Sequence, residues 1–370
     1  MVFFSTAPVS MDIPEARFTV GTRWRECVDR IQDYSVIRDG NVFRTSFADS
    51  YLFTSEYERA LALRERLLAE HDGISITDLF DGQEVETGSG TCYEIRSSCP
   101  FTPGTRNPGS AYERLVADLT LIPGIGPVTA HRLTQRGYHS IADLISHPRH
   151  RKDARAFLDL CERREVSELL AWLMKRGRRS QSQVLDTADF IPTGKLLFLD
   201  IETLGLFSRP IILFGTGRIR GSTMEVHQYL LRDIKEEPAA LAAVLESAGD
   251  RGAYVTYNGK CFDIPYMQER AVYYGMPLSG ALPHYDLLHF ARRGLRTRVP
   301  DCRLTTLERH IFNHSRTDDV PSQLVPEFYA TYLATGNPGP LVPVVSHNRQ
   351  DIVSLAQLFQ YLREGLRVGG

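Results

Sequence analysis

Asp200 and Glu202 stand two residues apart in Leu199-Asp200-Ile201-Glu202-Thr203, directly behind the apolar run that begins at Leu196. Side chains alternate along a strand, so a buried strand ending here presents both carboxylates on one side. A third acid, Asp263, follows Tyr257-Asn258-Gly259-Lys260-Cys261-Phe262, a turn-forming stretch that leads into a helical pattern. A fourth, Asp351, closes His347-Asn348-Arg349-Gln350-Asp351, where a helical spacing of four puts His347 on the same face. Four acids delivered by three elements repel one another unless cations neutralise them, and hard oxygen donors suit Mg2+ or Mn2+. His347, with a reference pKa of about 6.5, is the candidate proton acceptor. Asn258, Thr203 and Lys260 are the candidate substrate contacts beside the acids. Asp286 is expected to cap a helix.

The elements that must carry these residues can be outlined from hydrophobic periodicity. Residues 196–199, 211–217 and 224–231 read as an antiparallel meander, and Tyr254–Tyr257 as a further strand. Helical patterns cover 238–247, 264–274, 304–312, 326–333 and 351–362, the last opened by His347 to Asp351. Strands followed by alternating helices and strands predict an α/β layout. Upstream, Tyr57–Glu70 is a helix and Gln83–Arg96 a hairpin around Gly88-Ser89-Gly90. Ser97–Ser110 is expected to be a loop, and Gly177–Thr193 a linker. The expected division is an N-terminal α+β segment over 1–110 of no readable role, a helical region over 111–180, and the acid-bearing domain over 193–370.

The helical region contains Leu121-Ile122-Pro123-Gly124-Ile125-Gly126-Pro127-Val128-Thr129-Ala130. This stretch resembles the helix-hairpin-helix motif, whose Gly-x-Gly turn lets the backbone N–H groups of the next helix approach a phosphate. Gly124, Gly126 and Arg132 are therefore candidate nucleic-acid contacts. Residues 111–180 hold 13 Lys/Arg against 8 Asp/Glu, while the whole chain carries a net charge of -2. A mild local excess of positive charge fits a polyanion partner.

The acid set and its flanking motifs resemble the DnaQ-like, or DEDD, exonucleases within the ribonuclease-H-like folds. Leu199 to Thr203 matches the first motif and Asn258-(x4)-Asp263 the second. More closely, Leu304-Thr305-Thr306-Leu307-Glu308, Val320-Pro321 through Glu327-Phe328-Tyr329, and His347 to Asp351 resemble the YprB-type domain of that superfamily, over roughly 193–366. The resemblance implies a ribonuclease-H-like mixed sheet flanked by helices, and 3′–5′ hydrolysis of DNA or RNA with two Mg2+ or Mn2+ ions. By this resemblance Asp200 bridges both ions, Glu202 and Asp351 hold the water-activating ion, and Asp263 holds the second. A catalytically idle nucleic-acid-binding adaptor and a structure-selective endonuclease are the competing readings. A replication or repair protein is a candidate partner, and oligomeric state is unread.

Bulk composition excludes other classes. With 42% hydrophobic and 24% charged residues, the chain is ordinary globular protein. No apolar run reaches the ~18 residues of a membrane span, and the opening Met1–Phe4 is no signal-peptide core. Six cysteines without CxxC spacing read as reduced thiols in a cytoplasmic protein, with no disulfide framework or zinc knuckle.

Overall fold

The computed structural model describes residues 42–44, 51–104, 108–175, 177, 181–205, 208–277 and 280–365. Met1–Phe4 and Cys27 lie outside the described residues. Strands β1 (Val42–Arg44) and β2 (Tyr51–Phe53) form a small antiparallel pair. Seven others, β3 (Gln83–Thr87), β4 (Gly90–Pro100), β5 (Leu196–Thr203), β6 (Ile211–Arg220), β7 (Thr223–Leu230), β8 (Ala253–Thr256) and β9 (His284–Asp286), make one mixed sheet. Their order is β3-β4-β7-β6-β5-β8-β9. The expected meander is β5, β6 and β7, all antiparallel, with β8 parallel to β5 and β9 parallel to β8.

The helices are α1 (Thr54–Glu70), α2 (Ile76–Phe80), α3 (Pro108–Ala117), α4 (Pro127–Gln135), α5 (Arg151–Arg163), α6 (Val166–Met174) and α7 (Ser182–Asp186) before the meander. After it come α8 (Glu237–Ala248), α9 (Asp263–Tyr273), α10 (Leu287–Leu295), α11 (Leu304–Ile311), α12 (Val325–Thr335) and α13 (Leu341–Gly365). One core joins α13 residues Ile352, Leu355 and Phe359 to Phe198, Met224 and Val226 of the sheet, and continues into Leu115, Leu121 and Phe157 of the helical region. The opposite core sets Leu199, Ile201 and Phe214 against Leu241 and Val244 of α8 and Phe328 of α12. The sheet is thus covered on both faces, as the near-continuous apolar character of β5 and β6 requires. No described helix is long and apolar enough to cross a membrane.

Three expected boundaries move, each for a packing reason. Ser97–Pro100 are strand, because β7 offers partners down to Pro100↔Thr223, and α3 starts at Pro108, inside the expected loop. The stretch called a linker carries α7 and a turn of 3-10 helix over Thr187–Phe190. Val184, Leu185, Ala188 and Phe190 are core there, while Arg114 pairs with Asp186 and Asp189. Helix α13 begins at Leu341, so His347 to Asp351 lie in its body rather than at its start. Pro343 hid those early turns in the sequence, yet proline is tolerated in a first turn, where its missing N–H needs no partner. The division at 110 and 193 follows composition, and the sheet runs across it. The β3–β4 hairpin adds to the β7 edge.

Candidate active site

Interior strand β5 carries Asp200 and Glu202 toward the end where β8 stops. Beyond Phe198↔Val255 no β8 residue pairs with β5. The Ile201 N–H is satisfied instead by Asp263 Oδ1 at 3.1 Å. Asp263 is the first residue of α9, so one carboxylate both completes the strand edge and opens a helix. Between β8 and α9 the chain turns through Asn258, whose φ of 64° is the left-handed region that asparagine tolerates. Asp286 holds this turn, accepting from Asn258 N at 2.8 Å and Lys260 N at 3.1 Å. It also caps α10 through Leu288 N at 3.2 Å. The expected capping role is there, together with a turn-fixing role that sequence reasoning missed.

Asp200, Glu202, Thr203, Asn258, Asp263, His347 and Asp351 all line one cavity of about 250 Å³. Tyr257 and Phe262, both partly buried against the core, form part of its wall, and Tyr266 is buried. The Thr203 hydroxyl donates to Gly205 O at 2.8 Å. Lys260 is exposed and not among the lining residues. Gly124, Gly126 and Arg132 lie apart, in the helical region, with Gly124 at a φ of 76° and Gly126 capping α4.

The electrostatics are those of acids crowded away from water. Burial, then repulsion from Asp351, Asp263 and Glu202, pushes Asp200 well above the usual carboxylate range. Burial raises Glu202 to about 7, against the pull of His347, and raises Asp263 to about 8. His347 moves the other way from what burial alone dictates. Asp351, Asp319 and Glu202 outweigh desolvation and lift it to about 9. The imidazole expected to accept a proton near neutral pH is therefore charged in this state, because three carboxylates surround it.

Several partners were not singled out from the sequence. Asp319 Oδ1 lies 2.6 Å from His347 Nδ1, which fixes the proton on that nitrogen. His347 Nε2 then faces Asp351 Oδ2 at 3.6 Å and Glu202 Oε1 at 3.9 Å. Arg316 Nη1 sits 3.0 Å from the same protonated Nδ1, a contact that is not a hydrogen bond. Arg316 grips the buried Glu308 through two bonds of 2.7 and 2.6 Å and also pairs with Asp351. It comes from an irregular stretch between α11 and α12, where no periodicity marks a residue as inward-facing. Gln228 had a weak signal, as the one polar residue in the inward stripe Met224, Val226, Gln228, Leu230.

Four acidic side chains facing one cavity, three of them raised by burial, are a donor set that fits hard divalent cations. Among the described residues no three such groups converge into a ready metal cage. Asp351 is turned to Arg316 and Asp200 to Asn348.

Residues 197–363, which include most of the site and nearly all of β5 to β9 of the mixed α/β sheet, match the RNase_H superfamily model. Over 172 residues the chain is 33% identical to "Uncharacterized protein YprB" of Bacillus subtilis (strain 168). That stretch is 45% of this chain and 41% of the relative, so well under half of the relative's length is spanned.

Proposed function

We propose that the chain is a metal-dependent nuclease that removes nucleotides from 3′ ends of DNA or RNA. The observation that carries this reading is the convergence of Asp200, Glu202, Asp263 and Asp351, with His347, on one cavity at the end of β5. The four carboxylates would hold Mg2+ or Mn2+, as two ions in the DEDD manner. Bound there, such ions lower the pKa of water and stabilise charge on the attacking and leaving oxygens. The chain's own groups do the rest. Asp319 orients His347 so that Nε2 points at Glu202 and Asp351, where a proton is held beside the reacting phosphate. Asp286 fixes the turn that sets Asn258 at the cavity wall, as a substrate contact. The hairpin at Gly124 and Gly126, with Arg132, is read as a sequence-independent phosphate contact.

The adaptor reading has one observation in its favour: Arg316 pairs with Asp351, one of the four acids. Digestion of end-labelled single- and double-stranded DNA and RNA with Mg2+, Mn2+ or EDTA, beside Asp200→Ala, separates the readings. A metal-dependent ladder from 3′ ends, absent in the variant, is expected. Internal fragments would make it an endonuclease. Binding without cleavage would make it an adaptor, and wild-type turnover in Asp200→Ala would remove the site assignment.

A further inference from the structure

Asp200 on β5, Gly215 on β6 and Gln228 on β7 form one cross-strand row. Asn348 of α13 lies across that row, fully buried. Gln228, 1% exposed, donates from Nε2 to Val345 O at 2.8 Å and to Asn348 Oδ1 at 2.9 Å. A peptide carbonyl can only accept, so Val345 dictates that the nitrogen end of Gln228 faces α13. That in turn makes the Asn348 oxygen the acceptor and turns its nitrogen toward β5. There Nδ2 donates to Asp200 Oδ2 at 2.9 Å and to Asp200 O at 3.2 Å. The geometry leaves no freedom to flip either amide without placing two oxygens against each other. Gly215 makes room for this arrangement: a Cβ there would stand 2.2 Å from Asn348 Oδ1.

We infer that Gln228 and Asn348 are positioning residues, a two-amide relay anchored on the Val345 carbonyl that holds Asp200 Oδ2 on an N–H and leaves Oδ1 for a cation. The inference rests on the metal-dependent reading above. Gln228 touches no reacting atom and acts only through Asn348, which is what makes the idea testable.

The measurement is Mn2+ affinity by electron paramagnetic resonance, together with kcat and KM on a labelled strand and the melting temperature in EDTA. The full chain is used throughout. Gln228→Met keeps the bulk and removes the donor, so the Asn348 amide is free to turn over. It is expected to weaken Mn2+ binding about tenfold, the usual scale for outer partners of metal ligands, with a matching fall in kcat and unchanged KM. Asn348→Leu keeps the bulk and removes both the donor to Asp200 and the acceptor from Gln228, so adding Gln228→Met to it should change nothing further, a non-additivity that separate packing roles do not produce. Gly215→Ala, which displaces the same amide, serves if Asn348→Leu fails to fold. Gln228→Met binding Mn2+ like the wild type, or losses that multiply in the double variant, would overturn the relay. A wild-type protein that neither binds Mn2+ nor cuts would instead remove the metal-dependent reading beneath it.

Discussion

A carboxylate crowded by other carboxylates needs a donating or positive neighbour, and each of the four here has a different one. Asp200 has the Asn348 amide, Asp263 a strand N–H, Glu202 the His347 ring and Asp351 the Arg316 guanidinium. The last is the most demanding arrangement, since Arg316 and Glu308 side chains are 7% and 1% exposed. Removing one member of such a pair strands a buried charge. Arg316→Met is expected to cost about 3–5 kcal/mol in urea unfolding. Adding Glu308→Leu should recover most of that loss, because the pair's own net contribution is small once desolvation is counted. A double variant as unstable as the single would mean that Arg316 stabilises mainly through Asp351 and Asp319.

At the scale of elements, the site depends on close approach and on turns that only some residues permit. Helix α13 crosses β6 over Gly215 and Gly217, where added Cβ atoms would meet Asn348 and Ile352 at 2.2 and 2.4 Å. Glycines in a strand interior mark such a crossing, and this pair was legible in the sequence only as a weak point in a strand. The turn at Gly124 and Gly126 has the reverse character. A Cβ at Gly126 would meet nothing within 4 Å, so the surface at the start of α4 is open. Gly126→Asp keeps a residue favoured at helix N-termini while placing a negative charge where a phosphate would sit. It is expected to leave the fold intact and to weaken binding of a long strand by about 1 kcal/mol, roughly fivefold in Kd. Hydrolysis of a short saturating substrate should not change. Unaltered affinity would leave the hairpin as a packing element.

For the whole molecule, the acid cluster sets how stability follows pH. Asp263 rises from 3.8 to about 8, Glu202 from 4.5 to about 7, and His347 from 6.5 to about 9. All three are raised, so the folded chain binds more protons than the unfolded one between those limits. The stability they contribute is full below the unfolded values and is lost as pH rises through the folded ones. In EDTA the melting temperature is expected to fall from about pH 5 to about pH 9, and excess Mn2+ should stabilise more at the alkaline end. A melting temperature that rises with pH, or is indifferent to Mn2+ at every pH, would argue against a cation-binding role for these acids.

The acids themselves, the meander, α9, α11 and α12 were readable because each is local. A DxE after an apolar run is a period-two signal, and the helices carry their own spacing. Asp286 as a cap was readable for the same reason, since a cap is a contact over two or three residues. What tertiary structure alone decided is whatever joins distant segments. Arg316 reaches Asp351 across 35 residues, Gln228 reaches Asn348 across 120, and Arg114 reaches Asp189 across 75. Sequence separation leaves no periodic trace of such pairs, because register and helix placement are set by burial of the whole core. The charge of His347 belongs to the same class. Its residue type announces a group that titrates near neutral pH, and only the assembled ring of Asp319, Glu202 and Asp351 keeps the proton on it.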